Sequence, residues 1–119
     1  MLDSFPIHCA NALVAAMAPD LPTAWLQILQ ETFARLAPDY EVLAYGSRLN
    51  GLAHAASDLD LVIRHPRNSS SPCPQLGQIR TALSDSNIPI FVDVHDWAQL
   101  PQSFRQEIER QHVVLTKVP

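Results

Sequence analysis

Basic residues are few and scattered. Eight Lys and Arg stand against 12 Asp and Glu, for a formal charge of −4, and no two basic residues adjoin. Binding along a polynucleotide requires a basic surface, so nucleic acid is disfavoured as the main partner. Cysteine is almost missing. Cys9 and Cys73 are far apart and form no C-x-x-C pair, which fits a reduced cytoplasmic protein better than a disulfide-stapled secreted one. No apolar run approaches the roughly 20 residues of a membrane-spanning helix. The stretch "ALVAAMA" (12–18) is short, and Asp3 stands where a signal peptide would be basic, so no signal peptide is expected. The five histidines, His54, His65 and His95 among them, lack metal-ligand spacing, which argues against a zinc site. Internal repeats and an inter-domain linker are also missing.

What remains is a chain of 119 residues with 47% hydrophobic and 17% charged residues. That length suits one domain, and that composition suits one packed core. A single domain over 1–119 is expected, with a helical N-terminal part (1–38) and a core over 40–115. Residues 7–18 read as a short helix. In "LPTAWLQILQETFARLAP" the apolar positions Leu21, Trp25, Ile28, Leu29, Phe33 and Leu36 recur at helical spacing. Pro22 suits the first turn, and Pro38 follows the end. Trp25 and Phe33 read as core or interface residues. "EVLAYG" (41–46) and "DLDLVIRH" (58–65) read as strands, with Leu59, Leu61 and Ile63 on one face and Asp58, Asp60, Val62 and Arg64 on the other. A Pro- and Ser-rich loop (66–74), a helix (75–87), a third strand (89–97) and a helix (102–112) follow, and "VVLTK" forms a short tail. The fold class expected is α/β (α+β), a small sheet with helices packed on it.

The chemistry lies in "YGSRLNGLAHAASDLDLVI" (45–63). Residues i and i+2 of a strand point the same way, about 6.6 Å apart, so Asp58 and Asp60 can converge on one hard cation such as Mg²⁺. Without a cation the two like charges would raise one pKa and cost stability. Asp93 interrupts the apolar run "IFVDVHDW", whose Ile90, Val92 and Val94 take the opposite face. A lone carboxylate there is costly unless it is paired or metal-bound. If its strand lies beside 58–64, Asp93 joins the pair as a third carboxylate, the constellation of metal-assisted phosphoryl or nucleotidyl transfer. Gly46 permits a sharp turn and close approach of ligand to backbone. Ser47 can offer its hydroxyl and N–H to a phosphate oxygen, helped by any helix that starts there. Arg48 would add positive charge to the same triphosphate, while Gly51 and Ser57 suit turns returning the chain to the second strand. His95 shares the face of Asp93, and Asp96 reads as a strand-end or helix-start residue.

Gly46-Ser47, ten intervening residues and Asp58-x-Asp60 resemble the signature of the DNA polymerase β-like nucleotidyltransferase superfamily. The fuller "GSRLNGLAHAASDLDL" is similar to its minimal nucleotidyltransferase family, and Asp93 in "VDVHDW" matches that family's third catalytic aspartate. Four fixed positions at roughly 6–7% each recur by chance about once in 50,000 windows. Asn50 stands where the family often has a second Arg. The resemblance implies the nucleotidyltransferase fold with a small mixed sheet, Mg²⁺ held by Asp58, Asp60 and Asp93, and a triphosphate held by Gly46, Ser47 and Arg48. It further implies transfer of AMP from ATP to an acceptor hydroxyl. Minimal members are often antitoxins that adenylylate a tyrosine of a small helical HEPN-type toxin. Two alternatives stand beside that one: a small-molecule acceptor in a pocket built across a homo-oligomer, and a non-catalytic module that neutralises a partner by contact. Nothing in the sequence identifies a base-reading pocket or fixes the oligomeric state.

Overall fold

A computed structural model describes residues 21–46 and 58–116. The helix expected over 7–18, together with Ser47, Arg48, Asn50, Gly51 and Ser57, lies outside the described residues. Helix α1 (Thr23–Leu36) starts after Pro22 and stops at Ala37, whose non-helical backbone leads into Pro38. It buries Leu29, Thr32 and Phe33, and the Thr32 hydroxyl donates to the Ile28 carbonyl at 2.7 Å. The apolar stripe at helical spacing is therefore the packed face.

Strands β1 (Glu41–Tyr45), β2 (Leu59–Arg64) and β3 (Val92–Asp96) follow, with α2 (Leu76–Ser84) between the last two. A single-turn 3₁₀ helix (Trp97–Gln99), helix α3 (Gln102–Arg110) and strand β4 (Val113–Thr116) complete the described chain. The sheet order is β3-β2-β1-β4. β1 pairs antiparallel with β2 and with β4, whereas β2 and β3 run parallel. The sheet is therefore mixed and four-stranded, and Val113–Thr116 forms an edge strand rather than the expected tail.

One face of the sheet is closed. Val42, Ala44, Leu59, Leu61, Ile63, Val92, Val94, Val113 and Leu115 pack there against Leu29 and Phe33 of α1 and Ile79 and Leu83 of α2. At roughly 25 cal/mol per Å² of apolar surface removed from water, this layer is the main source of stability. Among the described residues, the opposite face is closed over only part of its area. Leu43, Tyr45 and Val62 pack there with Trp97 and with Ile108 of α3. Val62 is thus fully buried, although it shares a face with Asp60 and Arg64. That second small core divides the polar ends of the face. Arg64 sits at one end, held by its cross-strand neighbour Glu41 at 2.7 Å and lying over the Trp97 ring at 4.7 Å. The aspartates occupy the other.

Candidate active site

Backbone register builds the site. Tyr45 of β1 opposes Asp60 of β2, and Asp60 opposes Asp93 of β3. The three side chains form a row across neighbouring strands on the half-open face. Adjacent strands lie about 4.8 Å apart, so Asp60 and Asp93 are immediate neighbours. Asp58 precedes β2 and is exposed, and it stays near enough to act on Asp60 electrostatically.

The electrostatics follow from that crowding. Burial, then Asp93, then Asp58 raise the Asp60 pKa above the ordinary carboxylate value, while His95 opposes the shift. Burial also pushes the Tyr45 hydroxyl far up, aided by Asp60 and Asp93, so it stays neutral. One nitrogen relieves part of the negative charge: His95 Nε2 lies 3.1 Å from Asp93 Oδ2. Asp96 has another task. It is buried, and its carboxylate accepts from the backbone N–H of Cys73 at 2.8 Å and of Ala98 at 3.1 Å. It caps the 3₁₀ turn and ties the loop before α2 to the end of β3, as the strand-end reading anticipates.

Gly46 adjoins this row, directly after Tyr45. Its φ of +91° lies where side chains are strained, and a Cβ there would stand 2.6 Å from Asp60 Oδ2. Glycine here both makes the turn and leaves room for the Asp60 carboxylate. Two cavities flank the row. One of about 310 Å³ is lined by Tyr45, Gly46 and Phe104. The other, of about 320 Å³, includes Asp93, Ile88 and Phe91; Phe91 is 63% exposed.

Among the described residues, no group of three or more His, Cys, Asp or Glu is placed to hold a metal ion unaided. The donor set still fits a hard divalent cation. Mg²⁺ is commonly bound through one or two carboxylates, with waters and substrate phosphates supplying the rest. Asp60 and Asp93 are two such oxygen donors side by side, with their mutual repulsion only partly relieved.

The sequence reading missed the His95 contact as a definite feature, though the i, i+2 spacing from Asp93 carries it. Phe104 was also missed. It packs edge-on against both Tyr45 and His95, with ring centroids 5.7 and 6.3 Å away, and nothing in the local sequence of α3 marks it.

Comparison with known proteins gives two matches. Residues 19–119 match the family model described as the central palm domain of mitochondrial-like poly(A) RNA polymerase. A protein of Haemophilus influenzae named "Probable protein adenylyltransferase MntA" is 38% identical over 98 residues, covering 81% of this chain and 82% of that protein. No helix among the described residues is long and apolar enough to cross a membrane. With a palm domain matched over most of its length and a relative 38% identical over 81% of it, the chain belongs to the minimal nucleotidyltransferase family and is a nucleotidyltransferase.

Proposed function

We propose that this nucleotidyltransferase moves AMP from ATP to a hydroxyl of a partner protein, with a small helical HEPN-type toxin as that partner. The observation that carries this reading is the placement of Asp60 against Asp93 beside Gly46, on the open part of the sheet. The relative named for protein adenylyl transfer supports a polypeptide acceptor. The net charge of −4 speaks against a polynucleotide one, despite the polymerase name of the matched palm.

Asp58, Asp60 and Asp93 would hold Mg²⁺, which when bound neutralises charge on the reacting phosphates. Gly46 lets the chain approach the triphosphate closely, and Ser47 and Arg48 would bind its oxygens. Asp93 takes the proton of the acceptor hydroxyl as the new O–Pα bond forms and pyrophosphate leaves. In-line displacement sets the attacking oxygen opposite the leaving group. With the triphosphate on the Gly46 side of Asp60, the acceptor approaches from the β3 side, where Phe91 is exposed.

The test is incubation of the chain and its co-purified partner with ATP labelled at the α-phosphate. Label on the partner, lost in Asp58→Asn with Asp60→Asn, is the expected result. Label on a small molecule instead would redirect the acceptor assignment. An unlabelled partner that the double variant still neutralises would sink the enzymatic role in favour of neutralisation by contact.

A further inference from the structure

His95 has no part in the proposed reaction, yet its Nε2 lies 3.1 Å from Asp93 Oδ2. An ionised carboxylate only accepts hydrogen bonds, so the Nε2 facing it carries the hydrogen. The pair is about one-third exposed, 34% for the imidazole and 37% for the carboxylate. A polar contact so open to solvent contributes little to folding. What it can do is orient. The terminal torsion of an aspartate is broad, and a hydrogen bond to one oxygen fixes the plane of the carboxylate. The imidazole is itself fixed. Phe104 of α3 meets it at 66° between ring planes, and Phe104 in turn packs at 84° on Tyr45. A chain of contacts thus runs from the small core under α3 to one oxygen of Asp93.

We propose that His95 is a positioning residue for Asp93: the Nε2–H bond and the Phe104 contact hold the Asp93 carboxylate turned toward Asp60, and so set the affinity of the site for a metal-bound nucleotide. This rests on the reading of Asp60 and Asp93 as the carboxylates that hold the cation. Removing a hydrogen-bonding partner of a metal ligand commonly costs 10–100-fold in metal affinity.

The experiment is titration of the full chain with Mn²⁺, followed by electron paramagnetic resonance, in the presence of a non-hydrolysable ATP analogue. Wild type, His95→Leu and His95→Gln are compared, together with their thermal midpoints in EDTA. Glutamine returns an N–H donor at similar reach; leucine returns only bulk. His95→Leu is expected to weaken Mn²⁺ at least 10-fold, His95→Gln to stay within about 3-fold of wild type, and both to unfold within a few degrees of it. Wild-type affinity in His95→Leu, or equal loss in both variants, overturns the positioning role while leaving the site intact. Absence of nucleotide-dependent Mn²⁺ binding in wild type overturns the cation site itself, and this inference with it.

Discussion

Asp60 sits half-buried beside Asp93 and near Asp58, and its pKa is raised by burial first and by those neighbours next. The sign of the consequence is fixed by linkage. A carboxyl that binds its proton more tightly folded than unfolded favours the fold below its unfolded pKa, and that contribution disappears as pH rises through the raised value. Asp60→Asn removes the charge at every pH. In metal-free buffer the variant should therefore be more stable than wild type at neutral pH, by a few tenths to about 1 kcal/mol after solvent screening. The difference should shrink as pH falls through the carboxylate range. Denaturant melts of both proteins between pH 4 and 8 measure it, and equal stability at pH 7.5 would show that the crowding is harmless. The same position should be catalytically dead, which is the usual trade of stability for function. This much of the site is legible in the sequence, because strand parity alone puts Asp60 and Asp93 on outward faces of apolar strands. That β3 lies beside β2 is a matter of long-range pairing, and no local pattern encodes it.

Strand β3 works as an element because both its ends are anchored. Leu59 N–H donates to the Phe91 carbonyl at 3.0 Å where the pairing begins, and Arg80 of α2 donates twice to the outward Val94 carbonyl, at 2.7 and 3.1 Å. Asp96 closes the far end through its two backbone N–H partners. Asp96→Ala strands both of those donors in a buried place, so it should cost about 2–3 kcal/mol, read as a fall in the denaturant midpoint at unchanged slope. A loss below about 0.5 kcal/mol would mean that water replaces the carboxylate. The expected strand over 89–97 is shortened at both ends for physical reasons. Pro89 cannot donate to a ladder, and Trp97 turns into the 3₁₀ helix that Asp96 caps. β4 escaped notice because four residues after a helix carry no turn signal of their own. Its pairing with β1 spans some seventy positions and contains an irregularity between Val42 and Leu43, neither of which periodicity reveals. α1 and α2 were readable because their apolar spacing is the packed stripe itself.

At the scale of the whole molecule the two faces of the sheet divide the work. The face under α1 and α2 is apolar along every strand and supplies the scaffold. Among the described residues, the other face is closed by α3 and Trp97 only over its middle, and the end these leave uncovered gathers Asp60, Asp93 and His95 around an unfavourable excess of negative charge. Such a molecule should be stabilised when a cation and its phosphates arrive, because binding adds its own free energy and also relieves repulsion already present in the fold. At ligand concentrations 100 times the dissociation constant, linkage alone gives about 2.7 kcal/mol. Thermal unfolding should therefore shift upward by several degrees with Mg²⁺ and ATP together, by much less with ATP in EDTA, and by no more than that with both present in Asp60→Asn. Equal shifts with and without Mg²⁺ would mean that the nucleotide is held by the protein alone, and that the paired carboxylates serve something other than a cation. A full-sized shift that persists in Asp60→Asn would place the bound nucleotide away from the strand row altogether. Only the pattern in which metal, nucleotide and Asp60 are all required ties the open half of the sheet to nucleotidyl transfer.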